Sequence, residues 1–167
     1  MKILISSDST CDLSAALREK YNIAIVPLYI EKEGRNYRDG VDIVPQDIFD
    51  YVGSGRGVCR TAAVNTEEYR ERFTAWRESY DAVIHFNISS EMSSCYQNAC
   101  AAAAECDNVY VVDSRNLSTG SGLLVLEAAE RAAAGESPED IVWQMRETAE
   151  KVEASFVIDT LFYLQKG

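Results

Sequence analysis

The stretch that decides the fold is "DAVIHFNISSEMSSCYQNACAAAAECDNVYVVDS", residues 81–114. Its apolar run at 81–86 predicts a buried strand, and residues 93–105 predict a helix built mostly from small side chains. Residues 109–114 are again apolar and β-branched, and they predict a second strand. A strand, a helix and a strand in this order indicate two parallel strands joined by a crossover helix.

Four serines lie between the first of these strands and the helix, namely Ser89, Ser90, Ser93 and Ser94. A helix N-terminus has unpaired N–H groups and a partial positive charge, and one serine is enough to cap it. Several hydroxyls at one helix start favour an anion site, although capping alone remains the ordinary alternative. A carboxylate suits such a site, because the hydroxyls and the helix amides share its charge without a lysine.

The same alternation of strands and helices continues along the chain. Further strands are predicted at residues 2–6, 23–31 and 155–159, and Pro27 favours an edge or a bulge in the second of them. A hairpin is predicted around residues 32–40, where two glycines indicate turns. Further helices are predicted at 13–20, where Asp12 is the cap, at 45–52, at 119–135 and at 138–153. One more helix is predicted to begin after a Thr66 cap. The prediction is an α/β fold with a mostly parallel sheet flanked by helices.

Polar residues follow four of the predicted strands. Ligands of open parallel sheets gather at the carboxyl ends of the strands. We therefore expect the strand ends at Ser6, Phe86, Asp113 and Asp159 to lie on one edge of a single sheet. This shared pattern is stronger evidence for a binding site than any one of the loops.

Composition excludes several classes of function. The 167 residues have a net charge of −11, which disfavours nucleic acid and anionic membrane surfaces as partners. No apolar run approaches the length of a membrane span, so we expect no stable membrane insertion. The N-terminus turns polar too soon for a signal peptide. We therefore expect a cytoplasmic protein. Five cysteines, without a C-x-x-C pair, and one histidine predict reduced thiols and no metal site, and no cofactor is expected.

Other candidate groups have competing interpretations. Asp8, Ser9 and Thr10 either line a pocket at the end of the first strand or form only a turn and a cap. A small phosphotransferase or hydrolase would use Asp8 or Asp113 beside the same serines. The glycine-rich loop at 53–61 lacks the Gly-Lys-Ser/Thr ending of a phosphate loop. His85 lies in an apolar strand and is expected to be a hydrogen-bonded core residue, so no Ser-His-Asp triad is supported.

The order of several motifs resembles the DegV family of bacterial fatty acid-binding proteins. These motifs are "SDSTCDL", "VPLYI", "YRDGVDI", "ISSEMSSCYQNA", "VVDSRNLSTGSG" and "FVIDTLFYLQKG", and together they span the whole chain. The resemblance implies a two-domain α/β protein that binds one long-chain fatty acid. It also implies that the protein presents the acyl carboxylate to a separate fatty acid kinase, which makes acyl-phosphate for phospholipid synthesis, and that the binding protein itself is not an enzyme.

The resemblance also suggests which residues bind the ligand. The family's carboxylate-binding serine maps to Ser93, and its threonine maps to Thr61. Ser94 stands where the family has glycine, and Cys95 stands where it has threonine. Thr61 is kept although its neighbours "AAVN" depart from the family pattern. Ser93, Thr61, Ser94, Ser9 and Thr10 are therefore the predicted ligand-binding residues.

Domain boundaries follow from the same resemblance. Residues 1–160 are predicted to form the α/β lipid-binding N-terminal domain. Residues 161–167 are predicted to begin a second domain that this chain does not include. Family members take a further carboxylate contact from that second domain.

Overall fold

The computed structural model describes residues 1–158. The strands are β1 (Ile3–Asp8), β2 (Ala24–Val26), β3 (Tyr29–Lys32), β4 (Arg35–Arg38), β5 (Arg60–Ala62), β6 (Ala82–Asn87) and β7 (Val109–Asp113). The helices are α1 (Ala15–Lys20), α2 (Pro45–Gly53), α3 (Thr66–Arg77), α4 (Cys95–Ala103), α5 (Thr119–Ala133) and α6 (Pro138–Ala149), and a 3-10 turn spans Ser9–Cys11.

The chain divides into two compact units. Among the described residues, unit 1 contains residues 1–26 and 64–154, and unit 2 contains residues 27–63 and 155–158. Each unit has its own sheet, and each is described by itself.

Unit 1 is built on a four-stranded sheet in the order β2-β1-β6-β7. All three strand pairs are parallel, which confirms the predicted α/β fold with a parallel sheet and flanking helices. Every residue of β6 is buried, because the strand lies in the centre of the sheet and helices cover both faces. The core continues into α5 and α6, where Leu124, Ile141 and Met145 are buried.

Unit 2 contains a three-stranded antiparallel sheet in the order β4-β3-β5 and the helix α2. The β3–β4 hairpin, predicted from the glycines, turns at Glu33 and Gly34, which both have positive φ. Two consecutive residues with positive φ form a tight two-residue turn, whose backbone twist matches the twist of the two strands that it joins. Pro45 is the first residue of α2, where its missing N–H costs nothing.

Several predicted boundaries are wrong. Residues 23–31 do not form one strand, because Pro27 lacks an N–H and separates β2 from β3, which belong to different sheets. Thr61 lies in β5 and not in a loop. The predicted strand at 155–159 is not observed at 155–158, and Asp159 lies outside the described residues, as do residues 161–167.

Two predicted helix caps are also wrong, in both cases by one or two residues. Ser14, and not Asp12, caps α1, since its side chain accepts a hydrogen bond from the Leu17 N–H. Asp12 instead has a positive φ of 50° after the 3-10 turn. Asn65, and not Thr66, caps α3 by accepting from the Glu68 N–H at 2.9 Å. Ser137 caps α6 as predicted, with Pro138 as the first helical residue.

Candidate ligand-binding site

The carboxyl ends of β1, β6 and β7 lie together at one edge of the parallel sheet in unit 1. The register places Ser7 beside Phe86 and Asn87 beside Asp113. Three of the four strand ends predicted to share an edge therefore do so, and the fourth, Asp159, lies outside the described residues. The loops that follow these three strands form the candidate site.

Asp8 is a buried carboxylate that joins two of these loops. Its Oδ1 accepts hydrogen bonds from the Thr10 N–H at 3.1 Å and from the Thr10 hydroxyl at 2.6 Å. Its Oδ2 accepts a hydrogen bond from the Ile88 N–H at 2.7 Å. Burial raises the pKa of Asp8, and these hydrogen bonds oppose that rise because they favour the carboxylate. Asp8 therefore ties the turn after β1 to the turn after β6.

Asp113 has the same role between the loops that follow β6 and β7. Its Oδ1 accepts hydrogen bonds from the N–H groups of Ser90 at 3.1 Å and Arg115 at 2.9 Å. The Ser89 N–H also donates to the Asn116 carbonyl at 2.9 Å. Two of the four serines thus use their backbone amides to hold the loop in place.

Ser93 and Ser94 are arranged differently from the other two serines. The Ser93 Oγ accepts a hydrogen bond from the Cys95 N–H at 3.2 Å, and the described residues 1–158 provide no acceptor for its own O–H. Ser94 is exposed and is the N-cap residue of α4, but its side chain makes no capping bond. The intrahelical ladder begins only with the Asn98 N–H, which donates to the Ser94 carbonyl. Within the described residues, the N–H groups of Tyr96 and Gln97 therefore remain available to an anion, together with two hydroxyls.

The N-terminus of α5 packs closely on the 3-10 turn. The Ser118 N–H donates to the Thr10 carbonyl at 2.9 Å, and Ser118 itself has a positive φ of 54°. A Cβ at Gly122 would lie 2.6 Å from the Cys11 carbonyl oxygen, so only glycine fits there without displacing the backbone. These contacts hold Ser9 and Thr10 at the edge of the sheet.

A row of buried polar groups lies below the edge. The Ser6 hydroxyl and His85 Nδ1 are 2.9 Å apart, and the Asn87 amide donates to the Tyr69 hydroxyl at 2.9 Å. Burial lowers the pKa of His85 to about 3, with the charge of Arg72 as a smaller cause. The imidazole is therefore neutral at physiological pH, which confirms the prediction of a hydrogen-bonded core histidine.

The five predicted ligand-binding residues fall in both units. Ser9, Thr10, Ser93 and Ser94 all follow adjacent strands of the unit 1 sheet. Thr10 already uses its hydroxyl hydrogen to bind Asp8, so its direct contact with a ligand remains a prediction. Thr61 belongs to unit 2, where it is exposed on β5 opposite Ile30. The predicted convergence of Thr61 and Ser93 on one carboxylate remains a prediction.

Sequence reasoning missed the contacts that shape this edge. The turn-and-cap interpretation of Asp8 is confirmed, since Asp8 caps the 3-10 turn, but its bond to the Ile88 N–H was not predicted, and Asn87 and Gly122 were not singled out. A signal was available for Gly122, because the two glycines of "TGSG" in a first helical turn indicate close packing. None of the described residues forms a cluster of three or more His, Cys, Asp or Glu that could hold a metal ion.

The fold and this edge define an α/β domain with an anion-compatible site at the carboxyl ends of a parallel sheet. The chain belongs to the DegV family, whose model, described as an uncharacterised protein family, matches residues 2–167. It is 37% identical to a DegV domain-containing protein of Caldanaerobacter subterraneus, over 99% of this chain and 60% of that protein. It is 31% identical to the protein DegV of Bacillus subtilis, over 100% of this chain and 60% of that protein.

Solved structures show the same similarity. A DegV family protein from Thermus thermophilus, described as binding fatty acid, has a TM-score of 0.90 at 33% identity. The crystal structure of DegV from Bacillus subtilis, described as a fatty acid binding protein, has a TM-score of 0.92 at 30% identity. Each match covers 100% of this chain and 60% of the other. The chain thus spans about 60% of the length of the relatives that it matches. None of the helices within residues 1–158 is long and apolar enough to cross a membrane.

Proposed function

We propose that the protein binds a long-chain fatty acid, with the carboxylate held by Ser93, Ser94 and the first turn of α4. Thr61, Ser9 and Thr10 are the further predicted ligand-binding residues. The observation that supports this proposal most strongly is the α4 N-terminus. It combines a hydroxyl for which residues 1–158 provide no acceptor with the N–H groups of Tyr96 and Gln97, which have no intrahelical partner, both next to the end of a buried strand.

The comparisons support the nature of the ligand. Two relatives of known structure that align with the whole chain are described as fatty acid binding proteins, and a third, from Eubacterium ventriosum, is described as binding stearic acid. These proteins are longer than this chain. The proposal therefore concerns the whole protein, to which this chain contributes the α4 site.

We further propose that the bound fatty acid is presented to a fatty acid kinase, so that the catalysis belongs to the partner. The basis is the family resemblance of the motifs. The net charge of −11 supports a protein partner rather than a nucleic acid, because an acidic surface repels phosphates. A cytoplasmic location belongs to the same proposal. The test is acyl-phosphate formation from ATP and oleate by such a kinase, which should require the added protein.

A phosphotransferase or hydrolase at the same edge is less well supported. Both oxygens of Asp8 already accept hydrogen bonds from the protein, and the side chain is fully buried. Asp113 uses one oxygen to hold two backbone amides. Neither carboxylate is therefore placed as an open nucleophile. Magnesium-dependent turnover of a simple phosphate ester would revive this alternative.

A direct test of the proposed ligand compares oleate with its methyl ester by calorimetric titration of the whole protein. A hydrogen bond to a charged acceptor contributes about 1.5–3 kcal/mol, so the ester should bind roughly ten- to a hundredfold more weakly. It should still bind, because the acyl chain provides most of the affinity. Equal binding of acid and ester would show that no carboxylate site operates.

A further inference from the structure

Unit 2 contains an apolar cavity that the proposed carboxylate site does not use. Its volume is about 370 Å³, within the range of small-molecule sites, which is roughly 300–1,000 Å³. The residues that line it come from α2 and from the loop that follows, namely Ile48, Phe49, Val52, Gly53, Val58 and Cys59. Phe49 is 67% exposed at the mouth of the cavity, which is an unusual position for a large aromatic side chain.

The glycine-rich loop forms one wall of this cavity. A Cβ at Gly57 would lie 2.7 Å from the Tyr51 hydroxyl oxygen, so the loop passes directly over the buried Tyr51 ring. A larger residue at position 57 would have to displace the end of the Tyr51 side chain. The loop at 53–58, which resembled a phosphate loop only superficially, therefore shapes an apolar space in this structure.

Two cations lie over the Tyr51 ring, beside the loop that contributes Val58 and Cys59 to the cavity. The Lys32 Nζ is 5.8 Å from the centre of the Tyr51 ring, and the Arg56 guanidinium is 5.1 Å from it. The β3–β5 register pairs Glu31 with Arg60, and continuing it by one residue places Lys32 opposite Cys59, which lines the cavity. The charge of Lys32 also acts on the Cys59 thiol, although burial is the larger influence and raises the pKa of that thiol.

These cations have no carboxylate partner in the described part of the chain. No ion pair joins Lys32 or Arg56 to an acid within residues 1–158, and Arg56 donates only to the Ser54 hydroxyl. The two acids of α2 are already engaged, since Asp47 accepts from the Val44 N–H and Asp50 accepts from the Gln46 amide. An apolar cavity with two cations beside it matches a ligand that has a hydrocarbon chain and an anionic head.

We propose that this cavity binds an aliphatic carboxylate of medium chain length, with the chain against Ile48, Val52 and Val58 and the carboxylate at Lys32 and Arg56. This binding uses none of the unit 1 residues. It is therefore a second site for an amphiphile, separate in its residues from the α4 site.

Alkylation of Cys59 reports on this site. The protein is prepared with Cys100→Ser and Cys106→Ala, which leaves Cys59 as the reactive thiol because Cys11 and Cys95 are buried. Decanoate should slow the reaction of Cys59 with iodoacetamide at least fivefold at saturation. The carboxylate concentration that gives half of this protection should fall on the order of threefold to fourfold for each CH₂ added between hexanoate and decanoate.

Variants separate the two parts of the proposed site. Lys32→Met should raise the decanoate concentration that gives half-maximal protection about tenfold and leave protection by decanol unchanged. The control Lys20→Met, at an exposed lysine of α1, should leave protection by both compounds unchanged. Ile48→Trp, which fills the cavity, should abolish protection by both. Ser93→Ala should leave protection intact, so failure of the α4 site does not affect this test. Protection that is absent, or that is the same for decanoate and decanol in every variant, would overturn the proposal.

Discussion

Two parts of the same sheet edge in unit 1 use hydrogen bonding in opposite ways. The Asp8 carboxylate is fully buried, and both of its oxygens accept hydrogen bonds from the protein. At the start of α4, Ser93 and Ser94 are partly or fully exposed and have donors that the described chain leaves unused. The comparison separates polar residues that stabilise the fold from polar residues that are able to bind a ligand.

The largest effect is expected from removing the buried carboxylate. Asp8→Ala leaves the N–H groups of Thr10 and Ile88 and the Thr10 hydroxyl without their acceptor. The Ile88 N–H is buried, and an unpaired buried group costs about 1–3 kcal/mol, whereas the two Thr10 donors are only part-buried, so the free energy of unfolding should fall by about 3 kcal/mol. Urea denaturation measures this change. Glu71→Ala, at an exposed helical carboxylate, is the control and should have little effect, and a matching loss there would contradict the assigned role of Asp8.

The next largest loss of stability is expected from disturbing the close packing of α5 on the 3-10 turn. Gly122→Ala places a methyl group against the Cys11 carbonyl, and such overpacking costs about 1–3 kcal/mol. Gly53→Ala is a matched control, because the added methyl group meets open space. Thermal unfolding of both variants tests this difference. Equal melting temperatures would show that the edge is not held by this contact.

His85 should make stability depend on pH. Its folded pKa of about 3 is below the unfolded value of about 6.5, so the unfolded chain binds the additional proton and stability falls as pH falls through this window. Between pH 7 and pH 5, protonation of His85 in the unfolded chain should lower the free energy of unfolding of the wild type by about 2 kcal/mol. His85→Gln should remove that part of the pH dependence. The measurement is urea denaturation at both pH values, and an identical slope in the variant would contradict the assignment.

The smallest effect should come from the helix cap at the ligand site. Ser94 makes no side-chain capping bond, so Ser94→Ala should change the free energy of unfolding by less than about 0.5 kcal/mol. Asn65→Ala removes a cap that does form, at the start of α3, and should cost about 1 kcal/mol. If Ser94→Ala costs as much as Asn65→Ala, the hydroxyl serves the fold and not a ligand.

The fold was predictable because β1, β6 and β7 begin as apolar runs and are followed by polar residues. Pro27 indicated only an edge or a bulge, because the transfer of the chain to a second sheet depends on the pairing of β3 with β4 and β5, which periodicity does not determine. The caps were misplaced because two capping residue types lie close together, as with Asp12 and Ser14. The bond from Ile88 to Asp8 joins residues far apart in the chain, so local patterns could not reveal it.

The central claim is that the α4 N-terminus binds a fatty acid carboxylate, and the most direct test is titration of oleate into the whole protein and its Ser93→Ala variant. We predict that the variant remains folded, with a urea midpoint lowered only slightly by the lost bond from the Cys95 N–H, and binds oleate roughly ten- to a hundredfold more weakly, since one hydrogen bond to a charged acceptor is lost. Ser79→Ala, at an exposed serine after α3, should bind like the wild type. If Ser93→Ala also binds like the wild type, the carboxylate is not held at this site.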